Sequence, residues 1–300
     1  MVNFFANERM QEYLEGADLM QKKITIAGIN CLLKWDFEGL DLKIPAQFIS
    51  EFNTPALTYR INMFDKKLYE KICSGRFLCD INDKKFIEFD NKIAAVILHN
   101  PQRPYFTLFS QKNPEDLQVY IFDKELKSAS IMELLFFESL LPCFNGFMLH
   151  SSLIDYEKRG IMFSAPSGTG KSTQADLWNK YTGARIINGD RVILRRTDDI
   201  WWANGSPWSG TSGISLAENV PAKALLILRQ APENRLEKLP AAQAVKAIVS
   251  EAMMPYWSDE MTGRTIELAG DFVSKVPTYM LYCRPDRGAV EIVKQMVLNI

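Results

Sequence analysis

The chain has 300 residues, 47% hydrophobic and 24% charged, with 35 lysines and arginines against 36 aspartates and glutamates. This composition excludes a disordered chain and provides no overall positive field to draw it to nucleic acid or an anionic membrane. At about 150 residues per domain it predicts two domains.

The first residues carry Glu8, Glu12, Glu15 and Asp18 among apolar positions, so they lack the basic start and apolar run of a signal peptide. Phe5, Met10, Tyr13, Leu14 and Leu19 recur near a helical period and predict a helix there. From Lys23 to Asp123 the pattern changes to short β-branched and aromatic runs. Ile24 to Leu33, Leu57 to Met63, Lys92 to Leu98, Tyr105 to Phe109 and Leu117 to Phe122 are separated by Gly, Pro and Asn turns, as antiparallel strands would be. No constellation of catalytic residues stands out in this half. Nowhere does an apolar run reach the roughly 18 residues of a membrane span. The cysteines Cys31, Cys73, Cys79, Cys143 and Cys283 are odd in number and have no C-x-x-C pair, which reads as reduced thiols, mostly core filler, in a cytoplasmic protein.

Ser128 to Leu141 reads as a helix closed by Pro142, and the pattern beyond it is that of an α/β domain. The expected division is therefore a β-rich (α+β) accessory domain over 1–127 and an α/β domain over 128–300. Strands are expected at Phe147 to Ile154 and Ile161 to Ser164, then a glycine-rich loop and a helix from Lys171 to Tyr181. Further strands are expected at Ala184 to Ile187, Val192 to Leu194, Ala224 to Leu228 and Thr278 to Cys283. Helices are expected over Ala241 to Met254, Glu267 to Val276 and from Gly288 onward.

The loop Ala165-Pro166-Ser167-Gly168-Thr169-Gly170-Lys171-Ser172 follows Walker A apart from Ala165, which stands in the place of the first glycine. Gly168 and Gly170 let backbone N–H groups curl around phosphates ahead of a helix N-terminus; Lys171 reaches the β- and γ-phosphates and the Ser172 hydroxyl joins a magnesium shell. The bland alternative is a Gly-rich strand-to-helix turn with an incidental lysine. Asp190 is the candidate magnesium carboxylate, one helix and one strand after Lys171, where a parallel βαβ crossover would return it to the loop; its alternative reading is a turn acid in Asn-Gly-Asp.

At this point the order of parts resembles a known family. His150-Ser151 before the loop, Ser167 to Ser172, Asn188-Gly189-Asp190-Arg191 close behind, and Gly205-Ser206-Pro207-Trp208-Ser209-Gly210 downstream are similar to the core of HPr kinase/phosphorylase and its relatives in the phosphoenolpyruvate carboxykinase superfamily. The likeness runs from Phe147 to Ile300. It implies a P-loop-containing fold of that superfamily and ATP- and Mg2+-dependent phosphorylation of a hydroxyl, in a peptide, a protein or a small molecule. Nucleotide binding then falls to Ser167, Gly168, Thr169, Gly170, Lys171, Ser172 and Thr173, the metal to Ser172 and Asp190, and catalysis to Asp190, His150, Lys171 and Arg191. Members usually carry two adjacent aspartates where this chain has Gly189-Asp190, so Asp190 must do both jobs or another residue helps.

His150 would orient Asp190 or the acceptor hydroxyl, against the alternative of a satisfied core histidine. His99 has no such context and reads as structural. Of Arg191, Arg195 and Arg196, strand alternation turns only some inward, and Arg191 is the best placed. Trp208 is open between stacking on adenine and plugging the core. Two rival functions are a nucleotide-binding regulator without turnover and a carboxykinase, the latter poorly served by two histidines in the whole chain. A homo-oligomer is compatible with all of these.

Overall fold

The computed structural model describes residues 19–81, 84–97, 103–110, 115–126 and 133–298. The helix expected over the first residues, the start of the helix expected from Ser128, and His99 lie outside them. Among the described residues the chain is a mixed α/β protein with two large sheets, divided into two compact units. One unit takes the described residues up to Thr25, Asn30 to Lys43 and Ile49 to Leu135; the other takes Ile26–Ile29, Ile44–Phe48 and the chain from Phe136 onward.

The first unit contains β1 (Met20–Ile26), β2 (Ile29–Trp35), the short β3 (Asp41–Leu42), β4 (Leu57–Met63), helix α1 (Lys66–Cys73), β5 (Arg76–Ile81), β6 (Lys84–Phe89), β7 (Lys92–Ile97), β8 (Tyr105–Ser110), β9 (Asp116–Ile121) and the short β10 (Glu125–Leu126). Its main sheet has the order β1-β2-β4-β9-β8-β7-β6-β5. The single run expected from Ile24 to Leu33 is two strands, because Ala27 and Gly28 both take positive φ and turn the chain. The expectation of antiparallel strands throughout is also corrected. The meander from β5 to β9 is antiparallel, but β2, β4 and β9 pair in parallel. Helix α1 starts where the Asp65 carboxylate accepts the Leu68 N–H, and Ile72 packs with Ile87, Val96 and Phe106.

The second unit contains β11 (Gly146–Tyr156), β12 (Arg159–Ser164), α2 (Lys171–Thr182), β13 (Arg185–Asn188), β14 (Arg191–Thr197), β15 (Ile200–Asn204), β16 (Asn219–Gln230), β17 (Arg235–Lys238), α3 (Ala241–Glu251), α4 (Asp259–Lys275), β18 (Thr278–Cys283) and α5 (Arg287–Val297). Two long strands, β11 and β16, organise it. The first half of β11 pairs with β14, which continues through β15 to the start of β16. The second half of β11 pairs with β12 along one edge and β13 along the other, and β12 pairs in parallel with the second half of β16. The path β12-β11-β14-β15-β16 thus closes on itself, and β18 and β17 extend it from β16.

Helices cover this sheet system on both sides, the layered solution for strands that are apolar on both faces. Phe147, Leu149, Leu194, Trp201 and Leu225 pack against Ile248 of α3 and Leu268 and Phe272 of α4. On the opposite face Ile154, Phe163 and Leu226 meet Trp178 of α2 and Val290 and Val293 of α5. Helix α4 begins eight residues before the expected Glu267 because Ser258 caps it, accepting the Met261 N–H, and Asp259 and Glu260 occupy its positive first turn.

Phe272 is fully buried against Phe147 and Trp201, with ring centroids 6.0 and 5.3 Å away. Phe272→Ala is expected to destabilise the second unit by about 3–5 kcal/mol, read as a lower urea midpoint on full-length protein. A midpoint equal to the parent's would show that α4 adds little to this core.

Candidate functional site

The site forms where β12 ends. After Ser164 the chain leaves the sheet through Ala165 and Pro166 and enters α2 at Lys171. Gly168 and Gly170 have φ of 78° and 117°, a region that L side chains rarely adopt, and a Cβ at either would meet nothing within 4 Å. The loop is therefore open on its outer side. Ala165 keeps a negative φ and is fully buried, so the missing first glycine costs this backbone nothing. Helix α2 has no side-chain cap, which leaves its first N–H groups free to meet an anion.

Lys171 is buried, and its ammonium donates to the Ala165 carbonyl at 2.9 Å. Burial lowers its pKa, while the negative charges of Asp190 and Glu251 oppose that shift. Its backbone carbonyl accepts the Ser152 hydroxyl at 3.0 Å, which ties α2 to β11.

The expected crossover exists in modified form. β12 and β13 both run antiparallel to β11, so they are parallel to each other, but β11 lies between them. That intervening strand puts His150 between loop and acid. His150 Nε2 is 3.4 Å from Asp190 Oδ1 and its Nδ1 is 3.5 Å from Glu251 Oε2. The Ser164 hydroxyl donates to the His150 carbonyl, and the Ser151 N–H donates to the Asp190 carbonyl, each at 2.9 Å.

The turn bearing Asp190 is built by Asn188, which is fully buried. Its Oδ1 accepts the N–H groups of Asp190 and Arg191 at 2.9 Å each, and its Nδ2 donates to the carbonyls of Ser206 and Trp208. The hydrogen bond from His150 holds the Asp190 carboxyl below the usual carboxylate range, helped by Arg191 and Lys171 and opposed by burial. Arg191 Nε lies 3.5 Å from Asp190 Oδ2.

The structure thus gathers Lys171, His150, Asp190 and Arg191 in one place. Ser167, Ser172 and Thr173 stand exposed at the loop and the first turn of α2. Arg195 and Arg196 are engaged elsewhere, by the Ala27 and Phe144 carbonyls and by Asp271. Trp208 is buried, which is the packing reading of that residue. Asp199 is near Lys275, and Glu218 pairs with Arg185.

Two contributors escaped the sequence. Asn188 was legible only as part of a turn triplet, and its amide network depends on Ser206 and Trp208, far along the chain. Glu251 ends α3, and its one sequence signal is weak: an acid at a helix C-terminus opposes the helix dipole.

Beside the loop is a cavity of about 430 Å³, lined by Gly168, Thr169, Thr173, Gln174, Gln230 and Arg284 among others. The Gln174 side chain is buried there, donating through Nε2 to the Cys283 sulfur, while its Oε1 has no protein partner. Gly189 is closed to any side chain, since a Cβ there would sit 2.0 Å from Ser212 Oγ and 2.6 Å from Ser212 Cβ. Placing an acid beside Asp190 with Gly189→Asp should therefore cost about 1–3 kcal/mol, and adding Ser212→Gly should return part of it. Urea melts of the two variants test this, and a Gly189→Asp protein as stable as the parent would contradict it.

No family model and no curated protein matches this chain. Among solved structures it is similar to the Hpr(Ser) kinase/phosphatase from Coxiella burnetii, at 12% identity and a TM-score of 0.30 over 51% of this chain and 88% of that one. A likeness this distant assigns no activity.

Proposed function

We propose that this protein is an ATP- and magnesium-dependent kinase of the HPr kinase-like type that phosphorylates a hydroxyl, with a serine or threonine of a peptide or protein as the acceptor class. The observation that carries the reading is the convergence of a buried lysine, a histidine and an acidic aspartate beside an open glycine loop and an uncapped helix N-terminus. A turn that served only to connect strand and helix would not need Lys171 buried or an aspartate from another strand facing it.

The residues fit a nucleoside triphosphate. The loop amides and Lys171 would hold the phosphates, with the ammonium leaving the Ala165 carbonyl for phosphate oxygens. The cavity beside the loop would take the nucleoside. Among the described residues no group of three or more His, Cys, Asp or Glu is arranged to hold a metal. That suits magnesium, which takes one or two protein ligands, here Ser172 and Asp190, and fills its shell with phosphate oxygens and water. Magnesium bound with the nucleotide would supply charge neutralisation of the transferring phosphoryl group.

Asp190 stays anionic at neutral pH because its pKa is held down. A carboxylate of that acidity is a weak base, so its larger contribution is negative charge, with acceptance of the hydroxyl proton as a second task. Arg191 would sit against the same phosphoryl oxygens. A regulator that binds nucleotide without turnover is the competing reading, favoured by Gly189, and a transfer or hydrolysis assay with Mg·ATP separates the two.

Lys171→Ala is expected to keep the fold, to weaken ATP binding by about 2 kcal/mol or more, roughly 30-fold in Kd, and to remove turnover. Titration calorimetry with a parallel melt checks it; unchanged affinity with full activity ends the phosphate-loop reading. Asp190→Asn should lower kcat by about 10²–10³-fold while largely sparing ATP affinity, because the amide keeps the shape and loses the charge. A magnesium titration of the rate decides this, and near-native turnover would move the metal role to another residue.

A further inference from the structure

The site holds a second carboxylate that the sequence motifs do not contain. Glu251 is the last residue of α3, and the chain beyond it is pinned to β11: Ala252 bridges to Leu149, and the Met253 N–H donates to the Met148 carbonyl at 2.9 Å. Those contacts are one and two residues from His150, so the end of α3 is clamped opposite the histidine. The Glu251 side chain is 14% exposed, less than the 26% of Asp190 and the 23% of His150. An acid at a helix C-terminus faces the negative end of the helix dipole and is locally unfavourable there. A half-buried acid in that position needs a cation or donor beside it; Lys171 is within electrostatic reach, and the His150 Nδ1 is 3.5 Å away.

We propose that Glu251 is a positioning residue, whose carboxylate holds the His150 ring by its Nδ1 side and so presents Nε2 to Asp190. The ring stands between two carboxylates, with Nε2 3.4 Å from Asp190 and Nδ1 3.5 Å from Glu251. Asp190 also has Arg191 beside it at 3.5 Å, while Lys171 is within electrostatic reach of both acids. Glu251, the more buried of the two acids, therefore fixes the Nδ1 side of the ring, and the Nε2 side is turned to Asp190 and the incoming hydroxyl. In this arrangement the second acid absent at Gly189 is supplied from α3, acting through the histidine and not as its neighbour in sequence. The consequence for catalysis rests on the phosphoryl-transfer reading; the ring geometry does not.

The chain has two histidines, so imidazole nitrogen signals of the uniformly ¹⁵N-labelled full-length protein are assignable by loss of one set in His150→Asn. Glu251→Ala should move the His150 ring-nitrogen signals away from those of the parent, and Glu251→Gln, which keeps an acceptor oxygen, should hold them near the parental positions. In Mg·ATP turnover, Glu251→Ala should lower kcat about 10- to 100-fold with little change in the nucleotide KM, and Glu251→Gln should recover part of that loss. Glu251→Leu gives the same comparison if the alanine variant loosens the end of α3. Identical ring-nitrogen signals in parent and Glu251→Ala or Glu251→Leu overturn the proposal, as does an unchanged kcat with altered signals. A parent protein without any nucleotide turnover would end the kinase reading, and the ring spectra would still decide the pairing of Glu251 with His150.

Discussion

The position of β11 between β12 and β13 is the constraint on which the site depends. Because β11 runs opposite to both neighbours, its middle residues pass the C-terminal ends of the two strands that carry the loop and the acid. His150 and Ser152 lie on one face of β11 by the period of a strand. The first stands against Asp190, and the second holds the backbone of Lys171. The same strand is long enough to pair with β14 before this point and with β12 after it, so the sheets that share β11 set the spacing of lysine, histidine and acid.

A site of this kind requires charges in partly buried positions, and the surrounding groups divide the desolvation cost among themselves. Lys171 loses water but retains a carbonyl partner and two acids within electrostatic reach. Asp190 is balanced by His150, Arg191 and Lys171. Asn188 carries no charge and is fully buried, yet both ends of its amide are satisfied by backbone groups, which holds the acid turn rigid. Preorganisation of this sort is what charge stabilisation in a transition state requires, since donors and acids that are already in place need no reorganisation during reaction.

Gly189 shows how a single residue choice can be a steric fact. The short helical turn Gly210–Ser212 packs so closely that position 189 has no room for a Cβ. Acidic charge reaches the site instead from the end of α3, with the histidine between the two carboxylates. Ala165 is the milder case: its backbone lies where any residue is comfortable, so the exchange of glycine for alanine leaves the loop unaffected.

The sequence by itself determined the elements whose signals are local. Strand β18 was expected at Thr278 to Cys283 and lies there, and the loop, the start of α2 at Lys171 and the aspartate turn were readable from glycine spacing and the Asn-Gly-Asp triplet. Strands β5, β6, β15 and β17 and helix α1 were not read, because short segments carry little periodicity and obtain their stability from neighbours. The parallel pairing of β2, β4 and β9 was also beyond local reading, since hydrophobic alternation gives the face of a strand and not the direction of its partner. Only the tertiary structure decided that β11 intervenes in the crossover, that position 189 is sterically closed, and that Glu251 faces His150 from about a hundred residues away in sequence. Each of these depends on which surfaces meet once the chain is packed, and a contact between distant segments leaves almost no trace in the residues on either side of it.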